Sequence, residues 1–175
     1  RTFDPIIFAD GGAGVIDVTV DNFEIDGNND GGSNTFCGFL FRNTDPGTIS
    51  NNDLHSLRGT GQETQGILMY GANTNVTVSG NTVIDFSRNG ITAVVNASAA
   101  ISGNTVTGDG PLALGNWAQN GIEIGYGASG SITGNTVTGC SILDPDWAAS
   151  GILATDATGT TQINGNNITQ NQVNI

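Results

Sequence analysis

The residues of this chain best suited to moving protons are one histidine and a few arginines set among sixteen carboxylates. His55, Arg58, Asp85, Arg88 and Asp109 follow three copies of one short aliphatic segment, at Leu54, Val83 and Val106. If those copies lie above one another, the five side chains share an edge. A carboxylate, an imidazole and a guanidinium there could do general acid/base work on a sugar. The plainer reading is loop polarity, with arginines neutralising nearby acids on a very acidic surface.

Two further patterns carry chemistry. Asp26-x-Asn28-x-Asp30-Gly31 places oxygen ligands at alternate positions before a glycine turn, as in the first half of a calcium loop. The twelfth position, where a bidentate Glu would close the site, is Cys37, so the expectation is a weak calcium site that orders the loop. Trp117 and Trp147 fall in the two longest insertions, 111–119 and 143–149. Each indole could stack on a sugar ring or fold back over the protein. Cys37 and Cys140 are expected to be free, partly buried thiols too far apart for a disulfide.

The elements that must position these groups come from a repeat. An aliphatic residue, a small polar residue, Gly-Asn, a polar residue and another aliphatic recur at Val78–Val83, Ile101–Val106, Ile132–Val137 and Ile163–Ile168. Degenerate copies stand at Val20–Ile25 and Ile49–Leu54. With the glycine position as register, the spacings are 29, 29, 23, 31 and 31 residues. A second phrase, Gly followed by alternating apolar residues, begins at Gly38, Gly66, Gly90, Gly121 and Gly151. Strand chemistry at this period, with no helical pattern, predicts a stacked β-solenoid in which like residues form columns. Val20, Ile49, Val78, Ile101, Ile132 and Ile163 make one inward column; Ile25, Leu54, Val83, Val106, Val137 and Ile168 make another. Phe39, Ile67, Ile91, Ile122 and Ile152 make a third. Every position in them is apolar, although only 37% of the chain is hydrophobic. Asn52, Asn81, Asn104, Asn135 and Asn166 then occupy a corner, where stacked amides can bond to one another; Phe23 in the first copy ends the ladder. The column Leu40, Leu68, Thr92, Glu123, Leu153 faces outward, to be covered by a loop or another chain.

The Gly-Asn-Thr-Val corner and the asparagine ladder resemble right-handed parallel β-helix repeats, the kind shared by pectate-lyase-like enzymes, polysaccharide epimerases, phage tailspikes and surface adhesins. The resemblance spans about residues 15–175 and implies an all-β, right-handed parallel β-helix of about six coils. It implies one domain over residues 1–175, with 1–14 as an N-terminal cap or docking segment. The catalytic strings of these enzymes carry over poorly. Asn43-Thr44-Asp45 matches one polygalacturonase-like string without its companions, and Asp144-Pro145-Asp146 lacks the His of an epimerase-like triplet.

Charge narrows the partners. A net charge of −12 with no lysine excludes a nucleic-acid groove built on basic patches. No apolar run reaches the roughly 20 residues of a membrane span. The expectation is an extracellular or cell-surface structural or adhesive solenoid without catalytic activity. It would be a fibre segment stacking end to end or part of a larger chain, with polysaccharide as a partner. The alternative is a calcium-assisted lyase or epimerase acting on a uronate polymer.

Overall fold

A computed structural model describes residues 3–28, 35–58 and 63–175. The chain winds through three strands per coil. The first coil is β1 (Phe3–Asp10), β2 (Ile16–Asp21) and β3 (Glu24–Asp26), and the second β4 (Thr35–Arg42), β5 (Thr44–Ser50) and β6 (Asp53–His55). The third is β7 (Thr64–Tyr70), β8 (Asn75–Ser79) and β9 (Thr82–Ile84), and the fourth β10 (Asn89–Val94), β11 (Ser98–Ser102) and β12 (Thr105–Thr107). The fifth is β13 (Asn120–Gly125), β14 (Ser129–Thr133) and β15 (Thr136–Thr138), and the sixth β16 (Ser150–Thr155), β17 (Thr161–Asn164) and β18 (Asn167–Thr169). Like strands pair in parallel into three six-stranded sheets, the first holding β1, β4, β7, β10, β13 and β16. Six rungs enclose about five turns, in agreement with the expected coil count. The segment 1–14 contributes β1, whose Ile7 and Ala9 pair with Phe39 and Phe41.

The expected columns form in register. Ile49 pairs with Val20 and Val78, and Ile101 with Val78 and Ile132. Val106 lies between Val83 and Val137. In the inner coils these side chains are fully buried, and with the Phe39–Ile152 column they form one continuous apolar core.

Two glycine positions explain the two repeated phrases. At the corner between second and third sheets, Gly80, Gly103, Gly134 and Gly165 have φ of +67°, +63°, +64° and +63°. The degenerate copies put Asn22 and Asn51 there, at +61° and +54°. Asparagine is the residue after glycine that best tolerates this left-handed conformation. In the second phrase the glycine instead allows close approach. A Cβ on Gly90 or Gly121 would stand 2.4 or 2.2 Å from Cγ1 of Val106 or Val137 in the third sheet.

The corner asparagines form the predicted ladder. Asn52, Asn81, Asn104 and Asn135 each donate from Nδ2 to Oδ1 of the next asparagine at 2.9 Å. The same Oδ1 accepts the backbone N–H of the preceding rung's asparagine. At Phe23 the column closes, because the Phe23 backbone N–H caps Oδ1 of Asn52 at 2.9 Å.

Candidate functional site

Coil length varies most in one place. The connection from third sheet back to first is four residues at 85–88 and twelve at 108–119, which accounts for the whole difference between the 23- and 31-residue spacings. The long connections 108–119 and 139–149 stack on each other at their bases. Leu112 N–H donates to Ser141 O at 3.0 Å, Leu143 N–H donates to Leu112 O at 2.8 Å, and Leu112 and Ile142 are buried. The loops therefore rise side by side, and Trp117 and Trp147 line one cleft of about 520 Å³ beside the outer face of the first sheet. Trp117 and Trp147 remain 44% and 66% exposed, so neither ring is consumed by packing. Tyr126, 55% exposed, lines the same cleft.

The cleft adjoins a smaller compartment of about 210 Å³, with Arg88, Glu123 and Tyr126 lining both. Its floor is the outward face of the first sheet. Gln65, Asn89, Asn120 and Ser150 stand in register there, one per strand. Asn120 Nδ2 donates to Asn89 Oδ1 at 3.1 Å, and Asn89 Nδ2 donates to Glu123 Oε2 at 2.6 Å. This is a second amide column on the outside of the tube. Glu123 is 4% exposed, and burial pushes its pKa up against the opposing pull of Arg88 and the Asn89 amide, with Glu63 adding to the rise. Arg88 itself faces Glu63 at 3.0 Å and lies 5.0 Å over the Trp117 ring. Beside this column the same outer face carries an apolar cluster of Cys37, Leu40, Leu68 and Val94. The outward column expected to be covered is buried at Leu40, Leu68, Thr92 and Glu123.

The expected acid/base group occupies one edge but divides into three. His55 turns to Glu24, with Nε2 3.2 Å from Oε1, and lies 3.8 Å from Asp26 on its other nitrogen. Arg58 reaches Asp109 at 3.6 Å, and Asp85 bonds to Asp109. Burial and the neighbouring Asp85 outweigh Arg58 and raise Asp109 to about 6. Arg88 alone of the set joins the cleft. In the expected calcium loop, Asp26 Oδ1 accepts the Asn28 backbone N–H at 2.8 Å, and Asp30 lies outside the described residues. The two cysteines are not joined in a disulfide and are fully rather than partly buried, and burial pushes Cys140 up to about 12.

No motif of the sequence marks Glu63, Gln65, Asn89, Asn120 and Glu123 as a group. A signal was present. The residue before the glycine of the second phrase reads Cys37, Gln65, Asn89, Asn120 and Ser150, a column polar in four of five copies ahead of strands whose inward face is apolar.

Residues 6–175 match the family described as periplasmic copper-binding protein (NosD). The chain belongs to this family. No curated protein and no solved structure matches it. NosD-family chains are right-handed β-helices, in accord with the fold. The copper of the family's description does not fit the donors here. Copper favours imidazole, thiolate and thioether, and this sequence holds one His, two Cys and one Met. Met69 is buried inside the tube, Cys37 is buried on the outer face of the same sheet, and Cys140 is buried in a connection. The two carboxylates near His55 sit at opposite ring nitrogens and cannot converge with it on one ion. Among the described residues no group of three His, Cys, Asp or Glu could hold a metal.

Proposed function

We propose that this NosD-family chain is a non-catalytic, adhesive β-solenoid of the cell envelope that holds a polysaccharide against the outer face of its first sheet. The observation that carries this reading is the pairing of Trp117 and Trp147 across one cleft with a polar, buried floor. Aromatic rings on rigidly stacked loops present flat apolar faces to the C–H faces of sugars, while amides and carboxyls beside them meet hydroxyls. The family's periplasmic description supports the envelope location. Affinity electrophoresis through gels containing plant, algal and bacterial polysaccharides tests the reading. Retardation by at least one polymer, lost in Trp117→Ala and Trp147→Ala, is expected; unretarded migration in all of them would end it.

Glu123 favours a second reading, glycan cleavage with this carboxyl as general acid, because it is an acid of raised pKa in a cleft. The lyase or epimerase alternative is less well served. Each described arginine faces a carboxylate: Arg42 and Asp10, Arg58 and Asp109, Arg88 and Glu63. Absorbance near 235 nm and release of reducing ends, both followed with any polymer that retards the protein, separate these readings from binding alone. Turnover lost in Glu123→Gln would replace the non-catalytic assignment. Calcium at Asp26, Asn28 and Asp30 and end-to-end stacking into fibres are further proposals, tested by calorimetric titration and by light scattering of the concentrated protein.

A further inference from the structure

The inner compartment of the cleft has a composition that selects among sugars. We infer that it is a subsite for one uncharged pyranose residue of a glycan and that it discriminates against uronates; this rests on the cleft being a glycan site. The compartment is lined by Gln65, Arg88, Asn89, Thr92, Glu123 and Tyr126, among others. Gln65 is 4% and Thr92 1% exposed, and among the described residues Gln65 Oε1 and Thr92 Oγ1 have no hydrogen-bond partner. Buried polar atoms are nearly always partnered, so two unmet oxygens on residues that line one compartment mark a demand left open for a ligand. What Gln65 Oε1 lacks is a donor, and a hydroxyl-rich ring supplies several, each of which can also accept from Thr92. Val94 and Val95 provide an apolar wall for the other side of such a ring.

Charge decides the class. The one cation lining the compartment among the described residues, Arg88, is already engaged by Glu63 at 3.0 Å and by the Trp117 ring. Among the described residues an incoming carboxylate would meet no uncommitted guanidinium, would face Glu63, and would approach a protein of net charge −12. Glu123 in its protonated form is instead a donor to a neutral hydroxyl, consistent with the direction in which burial moves it.

Calorimetric titration of the full chain tests this with hexasaccharides of glucose, mannose and galactose set against galacturonate and guluronate hexamers. At least one neutral hexamer should bind, and the uronates should bind at least tenfold more weakly. Thr92→Val and Gln65→Leu should each weaken the neutral ligand by about tenfold, as expected when a site built for a hydroxyl loses a partner. Neither substitution should lower the melting temperature, since each removes an oxygen that has no partner in the free protein. Neutral binding that responds to Trp147→Ala but not to Thr92→Val or Gln65→Leu would overturn the subsite and leave the cleft standing. Tighter binding of a uronate would overturn the charge selection alone. Absence of binding to any hexamer, from protein that melts cooperatively, would remove both the subsite and the cleft.

Discussion

Asp109 shows how a single carboxyl records its surroundings. The folded chain holds its proton up to about pH 6, while an unfolded aspartate releases it near the usual value of 3.8. Between those values the folded state binds more protons than the unfolded one, so this group's contribution to stability falls as pH rises from about 4 to about 6 and then levels off. Asp109→Asn mimics the protonated form at every pH. It should raise the melting temperature at pH 7.5 by about 2–4 °C, corresponding to about 1 kcal/mol after screening at a partly exposed site, and leave it unchanged at pH 4. Thermal melts of both proteins at the two pH values check this, and an equal shift at both would show that the carboxyl acts through packing instead. The edge location of Asp109 could be read from its spacing. Its partners could not, because Arg58, Asp85 and Arg88 are all within reach of that edge and only side-chain geometry assigns Arg58 to Asp109 and Arg88 to Glu63.

At the scale of the element, each rung is held by one amide and one missing side chain. Asn104 accepts two hydrogen bonds from Asn81 and donates to Val78 O, Ser102 O and Asn135 Oδ1, all between 2.9 and 3.1 Å. Asn104→Ala strands several of those groups in a buried corner and should cost about 3 kcal/mol or more in urea unfolding. A loss below about 1 kcal/mol would mean that water replaces the ladder. Gly121→Ala would force a Cβ to 2.2 Å from Val137 Cγ1 and 2.6 Å from the Gly151 carbonyl oxygen, an overpacking cost of about 3 kcal/mol. Gly134→Ala meets nothing within 4 Å and costs only the left-handed backbone at φ +64°, about 1 kcal/mol. Melts of the two variants should therefore separate clearly, with Gly121→Ala the lower. These positions are legible as sequence because repetition displays them: successive windings repeat the same steric demand, and the residue types that meet it recur once per coil.

Across the whole molecule, repetition and function occupy different parts of the chain. The three sheets and the inner columns follow from the recurring phrases, down to the end of the ladder at Phe23. The cleft lies where repetition fails, in the connections whose lengths run from four to twelve residues. Trp117 and Trp147 stood out as aromatic residues in long insertions, yet nothing in their spacing showed that both would face the same floor. That depends on Leu112 and Ile142 stacking at the loop bases. Glu123 was visible only as one outward position in a mixed column. Its burial comes from the loops built beside it, which a strand pattern does not encode. The tube thus acts as a ruler that sets consecutive loops one strand spacing apart, about 4.8 Å.

Both tryptophans of the chain line this cleft, so the tryptophan emission of the unlabelled protein reports on it. Titration with the neutral hexasaccharides, followed by tryptophan fluorescence, is therefore the most direct test of a glycan cleft on the first sheet. A saturable blue shift or quench is expected with at least one of them, reduced in amplitude by either single tryptophan substitution. Emission that stays constant with every sugar, while the protein remains folded by circular dichroism, would contradict it.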